Sequence, residues 1–177
     1  MKLQRVGTLM LALLFTSSVF PAERKAKAVY CVRSSGGEWS LQRFRPLINP
    51  RSGLVFTQMS FTGTVLEAVR LRRFYPDYEV AFEYKFNSLG KLTGLMGSVE
   101  LWGQWTAEAN LYPENDGTIG PVEAKYYSPR NRDHVARPED SREYEVELSN
   151  APVYMTIQSL PCGSMLQEAE KMNATQE

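Results

Sequence analysis

The stretch YEVAFEYKF, residues 78–86, decides the fold class because apolar and polar side chains alternate along it. One set of positions carries Tyr78, Val80, Phe82, Tyr84 and Phe86, and the other carries Glu79, Ala81, Glu83 and Lys85. A period of two is typical of a β-strand with one face in the core and one in solvent. The segment NSLGK that follows favours a turn, so the strand is predicted to end there.

The preceding segment, TVLEAVRLRRF at residues 64–74, supports two interpretations. Thr64 and Glu67 have the spacing of a helix capping box, which favours a short helix. A hairpin centred on Pro76 and Asp77 would instead give pairs in which apolar meets apolar and charge meets its opposite. Those pairs are Leu71 with Phe82, Val69 with Tyr84, and Arg70 with Glu83. The hairpin pairing predicts a strand, with the helix as the alternative.

The segment SVELWGQWTAEANL, residues 98–111, alternates in the same way and predicts one long strand with a bend or bulge at Gly103. Trp105 then lies on the apolar face and belongs to the core. Trp102 lies on the polar face, where an exposed indole can stack on a ligand or a partner. The candidate binding surface comprises Trp102, Glu100, Gln104 and Glu108. The alternative is that a loop or helix covers Trp102.

Six other segments have strand character, with turn clusters such as PENDG and SNAP between them. They are residues 29–33, 39–44, 54–62, 122–127, 144–148 and 153–159. Many short strands predict a mostly antiparallel β-sandwich, with a small up-and-down β-barrel as the alternative. This fold class leaves room for one short helix and a helical C-terminal tail. The charged loop 128–143 lacks apolar periodicity, and Asp116 with Gly117 favours a hairpin turn.

The chain is predicted to contain a signal peptide, one domain and a tail. Residues 1–22 have basic Lys2 and Arg5, an uncharged apolar run from Val6 to Phe20, and small Ala22, the order of a secretory signal peptide. The protein is therefore expected to be secreted or periplasmic, with a retained N-terminal membrane anchor as the alternative. Residues 23–163 form the β domain.

Residues 164–177 form a flexible or helical tail, in which Met165, Leu166, Ala169 and Met172 have helical spacing. The tail also contains Asn173-Ala174-Thr175, a pattern for N-glycosylation.

Cys31 and Cys162 are the two cysteines, and export predicts that they form a disulfide. Two free buried thiols are the alternative. A metal site is not expected, because two thiolates without a nearby histidine cannot complete four ligands.

The charge is balanced, which argues against nucleic acid as a partner. The chain has 20 basic and 20 acidic residues, and without residues 1–22 the net charge is 18 − 20 = −2. A nucleic-acid-binding protein usually has a basic surface, which this composition does not favour.

Catalytic patterns are weak. The one histidine, His134, lies beside Asp133 and near Asp140 and Ser141, but no strained nucleophile turn surrounds Ser141. The strand carboxylates Glu79, Glu83, Glu100 and Glu108 cannot be paired from spacing alone. No phosphate loop is present, and neither an enzyme nor a cofactor is expected.

These features predict an exported, non-catalytic binding or envelope-structural module that recognises a protein or a carbohydrate. One alternative is a secreted hydrolase that uses carboxylates or His134. Another is a small barrel that binds an apolar ligand. Membrane contact is expected only through the N-terminal export segment.

Overall fold

The computed structural model describes residues 27–34, 37–48 and 54–175. The predicted signal peptide therefore lies outside the described residues. The strands are β1 Lys27–Arg33, β2 Trp39–Gln42, β3 Val55–Thr62, β4 Val65–Phe74, β5 Tyr78–Phe86, β6 Leu92–Leu101, β7 Trp105–Leu111 and β8 Lys125–Tyr127. The helices are α1 Ser141–Ser149 and α2 Leu166–Ala174, with 3₁₀ turns at Ile157–Ser159 and Gly163–Met165.

All eight strands form one antiparallel sheet in the order β2-β1-β3-β4-β5-β6-β7-β8. The mostly antiparallel β class is confirmed. The barrel alternative is wrong, because β2 and β8 end the strand order and do not pair with each other. The arrangement is sandwich-like: α1 packs against β6 and β7, and α2 packs against β1. We call this side the helix-covered face and the other side the open face.

The two ends of the sheet differ in the turns that they carry. The basal end is the end at which β1 begins at Lys27, and it holds the β3–β4 and β5–β6 turns and the loop after β7. The distal end holds the β1–β2, β4–β5 and β6–β7 turns.

The hairpin prediction for β4 and β5 is confirmed in register. Leu71 lies opposite Phe82, Val69 opposite Tyr84, and Arg70 opposite Glu83, so residues 64–74 are not helical. Arg70 Nη2 lies 2.7 Å from Glu83 Oε2 on the open face. The alternation within residues 78–86 therefore determined both the strand and its pairing.

The prediction of one strand over residues 98–111 is wrong. β6 ends at Leu101, β7 begins at Trp105, and residues 102–104 form a tight turn between them. The Gln104 amide donates to the Leu101 carbonyl at 3.0 Å, and Gly103 has a φ of 77°. A four-residue turn with positive φ at its third position favours glycine there. Trp105 is in the core as predicted.

The predicted strand at residues 144–148 is also wrong, because these residues lie in α1. The sequence YEVEL alternates, but the helix buries Leu148, leaves Tyr144 half-buried, and exposes 55% of Val146. Positions 144 and 148 are four apart and share a helix face, whereas 146 does not. Both a strand and a helix are compatible with these five residues, and packing against β6 and β7 favours the helix.

The predicted strand at residues 153–159 is wrong as well. Only Thr156 forms a bridge, with Lys91, and a 3₁₀ turn follows at Ile157–Ser159. The tail is helical, as one of the two interpretations held, and α2 buries Ala169.

The predicted disulfide is present between Cys31 and Cys162, whose Cα atoms are 6.4 Å apart. Cys31 lies in the middle of β1, and Cys162 immediately precedes the 3₁₀ turn that leads into α2. Both residues are buried in the main core. The bridge therefore fixes the C-terminal segment to the sheet.

The glycosylation pattern is buried in the folded chain. Only 3% of Asn173 is exposed, and its Nδ2 donates to the Gly63 carbonyl at 2.6 Å. A glycan on this nitrogen would displace α2 from the β3–β4 turn. Glycosylation of Asn173 is incompatible with this packing.

The burial of Tyr84 predicts that the folded protein loses stability at alkaline pH. This tyrosine is fully buried, its hydroxyl donates to the Pro152 carbonyl at 2.8 Å, and burial raises its pKa above the ordinary value of 10.0. A raised pKa means that stability present below pH 10 is lost as pH rises further, by about 1.4 kcal/mol per pH unit. The free energy of unfolding is measured by urea unfolding at several pH values from 10 to 11.5. For Tyr84→Phe it should fall less steeply with pH than for the unchanged protein, by that amount per pH unit. The same fall of unfolding free energy with pH in both proteins would contradict this.

Candidate functional site

A cleft of about 480 Å³ lies on the open face, between β7 and the chain that leads into β8. Its walls are Glu108, Asn110 and Tyr112 on one side and Pro121, Glu123, Lys125 and Tyr127 on the other, with Met96 and Ala109 also in contact. Clefts of a few hundred cubic ångströms are the size that small-molecule ligands use.

The sequence PVEAKYY, residues 121–127, explains one wall. Val122, Ala124 and Tyr126 pack inward, while Pro121, Glu123 and Lys125 are exposed. An extended chain sends successive side chains to opposite faces, so one polar row faces the cleft while the other row anchors it. The cleft wall is thus held by core packing.

The cleft exists because β8 pairs with only half of β7. Pairing covers Thr106 to Glu108, and no backbone hydrogen bond joins residues 109–111 to the described residues 121–124. The loop closes again beyond the gap, where the Gly120 amide donates to the Tyr112 carbonyl at 3.0 Å. The tip of that loop is the predicted turn, with the Thr118 amide donating to Asp116 Oδ1 at 2.9 Å.

Glu108 is oriented by the loop that follows β8. Arg132 Nη2 donates to Glu108 Oε1 at 2.8 Å, and the same guanidinium lies over the Tyr127 ring at 5.2 Å. Arg132 has a φ of 61°, an uncommon conformation for a residue other than glycine. His134 also packs against Tyr127, with its ring centroid 4.6 Å from that of the tyrosine. The arginine fixes one carboxylate and one aromatic ring of the cleft.

The structure separates the four residues of the predicted binding surface. Glu108 lines the cleft, and Glu100 lies exposed on the open face opposite Thr106. Trp102 and Gln104 belong to the distal β6–β7 turn. The Trp102 amide donates to the Asp77 carbonyl at 3.2 Å, and 36% of the residue is exposed. Trp102 and Gln104 therefore do not share a site with the cleft.

The candidate catalytic residues of the loop are not assembled. Ser141 is fully buried, accepts from Arg137 Nε at 3.2 Å, and donates to Glu145 Oε1 at 3.3 Å. His134 instead packs against Tyr127. Ser141 is the first residue of α1, and its hydroxyl is therefore hydrogen-bonded within that helix and to Arg137 rather than to the histidine.

The other strand carboxylates are engaged on the open face. Glu79 receives two hydrogen bonds from Arg72, at 2.6 and 2.8 Å, and Glu83 pairs with Arg70. Arg72 also lies over the rings of Phe56 and Phe74. These contacts give both glutamates a structural role in β5.

A smaller cleft of about 350 Å³ adjoins the first one at the basal end. It is lined by Leu92, Thr93, Gly94, Leu95, Leu111, Pro113 and Met155, and it shares Asn110 and Tyr112 with the larger cleft. Asn110 and Tyr112 therefore contact both clefts.

The described residues contain no group of three or more histidine, cysteine, aspartate or glutamate residues placed to hold a metal ion. They also contain no helix with the length and apolarity needed to cross a bilayer.

Most cleft residues were missed from the sequence, although residues 122–127 were predicted as a strand. The usable signal was the polar alternation of Glu123, Lys125 and Tyr127 next to Pro121. Tyr112 could not be assigned to a cleft from the sequence, because the cleft exists only where β8 stops pairing with β7.

Comparisons with protein-family models, curated proteins and solved structures find no match for this chain.

Proposed function

We propose that this protein is an exported, non-catalytic binding module whose ligand occupies the β7–β8 cleft. The observation that carries the proposal is the composition of the cleft on a rigid sheet. Aromatic rings from Tyr112 and Tyr127 stand beside the carboxylate of Glu123, the amide of Asn110 and the ammonium of Lys125. Asn110 and Lys125 lie in strands β7 and β8, which hold such groups more accurately than free loops do.

A carbohydrate is the ligand class that this chemistry suits best. A sugar ring offers an apolar face for a tyrosine and hydroxyls that both donate and accept hydrogen bonds. Glu123 and Asn110 supply acceptors, while Lys125 and Asn110 supply donors. Glu108 keeps a second oxygen beyond the one bonded to Arg132. The cleft charges nearly cancel, which suits a neutral ligand.

The proposal is tested by binding of soluble neutral and acidic oligosaccharides, first on an array and then by titration calorimetry. Tyr112→Ala and Glu123→Gln should each weaken binding about tenfold, equivalent to 1.4 kcal/mol. Both side chains are exposed at the cleft, so neither change is expected to unfold the sheet.

Trp102→Ala is the matched control, because it removes an exposed aromatic ring at the distal end of the same sheet. It should bind as the unchanged protein does. Equal losses in the control and the cleft variants, or full binding in the cleft variants, would contradict a ligand in this cleft.

A secreted hydrolase is the second candidate, because Glu108 and Glu123 line one cleft and paired carboxylates hydrolyse glycosides. Under the main proposal the oligosaccharide that binds is recovered uncleaved. Cleavage that Glu123→Gln abolishes, with binding retained, would replace the binding module by a hydrolase.

A further inference from the structure

The basal end of the sheet exposes large apolar side chains from several separate loops. Among the described residues, these side chains are Phe44, Val65, Leu89, Tyr112 and Met155. Phe44 is 83% exposed and Leu89 is 79% exposed. Five exposed apolar side chains along one end of a sheet differ from single scattered ones, which need no explanation.

The strand register fixes the common location of these residues. Val65 follows the β3–β4 turn, Leu89 lies in the β5–β6 turn, and Tyr112 follows β7. The Met155 carbonyl accepts from the Leu92 amide at 3.0 Å, at the start of β6. Phe44 lies next to Arg43, which donates to Thr175 just beyond α2. The Asn173 bond to Gly63 places that end of α2 at the β3–β4 turn.

Cations accompany the apolar side chains. Lys27 is the first residue of β1, and Lys85 is the second-last residue of β5. Lys91 immediately precedes β6, and Arg43 immediately follows β2. None of the four forms an ion pair with another described residue. Exposed acidic residues of the same end include Glu67, Glu114, Asp116 and Glu123. Unpaired cations next to apolar groups are the composition of an interfacial membrane-binding surface.

The N-terminal segment joins the fold at this same end. Residues 1–26 precede Lys27 and contain the uncharged run from Val6 to Phe20, followed by Glu23, Arg24 and Lys25. A retained run would bring this end to the bilayer.

We infer that the basal end of the sheet rests on an anionic lipid surface. Phe44 and Leu89 enter the headgroup region, and Lys27, Arg43, Lys85 and Lys91 contact lipid phosphates and anionic headgroups. This extends membrane contact from the N-terminal segment to the folded domain. The inference does not rest on the cleft, because neither Phe44 nor Leu89 lines it.

The test is flotation with vesicles of phosphatidylcholine alone or with 30% phosphatidylglycerol, a composition chosen to give about the charge of an anionic leaflet. The full chain is used as it accumulates in an export-competent host. The unchanged protein is compared with Phe44→Ser/Leu89→Ser, and Val146→Ser is the control, since Val146 is 55% exposed on α1. All variants share one N-terminus, so differences between them report on the folded domain.

Binding to the anionic vesicles should exceed binding to the neutral ones, fall as salt is raised, and drop at least fivefold in the double variant. The Val146→Ser control should bind as the unchanged protein does. No binding, equal binding to both vesicle types, or equal binding by the double variant would each overturn the inference. Retained saccharide binding in the double variant would show that the cleft proposal stands separately.

Discussion

Removal of the Cys31–Cys162 disulfide is expected to lower the free energy of unfolding by about 2–5 kcal/mol. The two cysteines are 131 positions apart, so the bridge restricts most of the unfolded chain. It also attaches β1 to the segment that carries α2, and both cysteines are buried in the main core. A typical domain is stable by roughly 5–15 kcal/mol, so this loss would be a large part of the total.

Urea unfolding of the Cys31→Ala/Cys162→Ala variant without reductant measures this loss. The unchanged protein with and without reductant provides the control for effects of the alanines themselves. A difference under about 1 kcal/mol, the size of one ordinary hydrogen bond, would mean that the bridge does not hold the C-terminal segment to the sheet.

Gly163→Ala is expected to destabilise the protein by about 3 kcal/mol or more, because overpacking against fixed backbone has no easy relief. A Cβ at this position would lie 2.8 Å from the Gln158 carbonyl oxygen and closer still to that of Ile157. Both are main-chain atoms of the preceding 3₁₀ turn. The turn must move, and it carries Cys162 with it.

Gly94→Ala in β6 is the matched control for this substitution. A Cβ there meets only Lys85 Cβ, at an ordinary 3.8 Å. Thermal unfolding of the two variants should separate them clearly, with Gly94→Ala close to the unchanged protein. Similar melting temperatures for the two would show that the 3₁₀ turn yields easily.

The sheet was largely predictable because its strands carry local patterns. Residues 78–86 alternate strictly, and the partners of Leu71, Val69 and Arg70 followed from one assumed turn. The disulfide followed from two cysteines and a predicted export signal. In each case the information lay within a short stretch of sequence or in the number of cysteines.

The errors arose where a short pattern fitted two structures. Residues 144–148 alternate like a strand but form a helix, because packing on β6 and β7 buries positions four apart. The turn at residues 102–104 was taken for a bend in one strand, because the alternation of residues 98–101 continues in phase through residues 105–111 and a glycine at position 103 suits either a bend or a turn.

The cleft could not be predicted for a different reason. It depends on β8 pairing with residues 106–108 and leaving residues 109–111 free, a property of two strands that no single segment encodes. The ion pair between Arg132 and Glu108 joins positions 24 apart across a loop without periodicity. The sequence points to Glu108 and to the loop separately but contains no pattern that brings them together.

The central claim is that ligand binds between β7 and residues 121–127, and NMR titration with the tightest oligosaccharide tests it most directly. The account predicts amide shift changes concentrated at Glu108, Asn110, Tyr112, Glu123 and Tyr127, with the distal turn at residues 102–104 unchanged. Shift changes centred on Trp102 and Gln104, with the cleft amides unmoved, would contradict it.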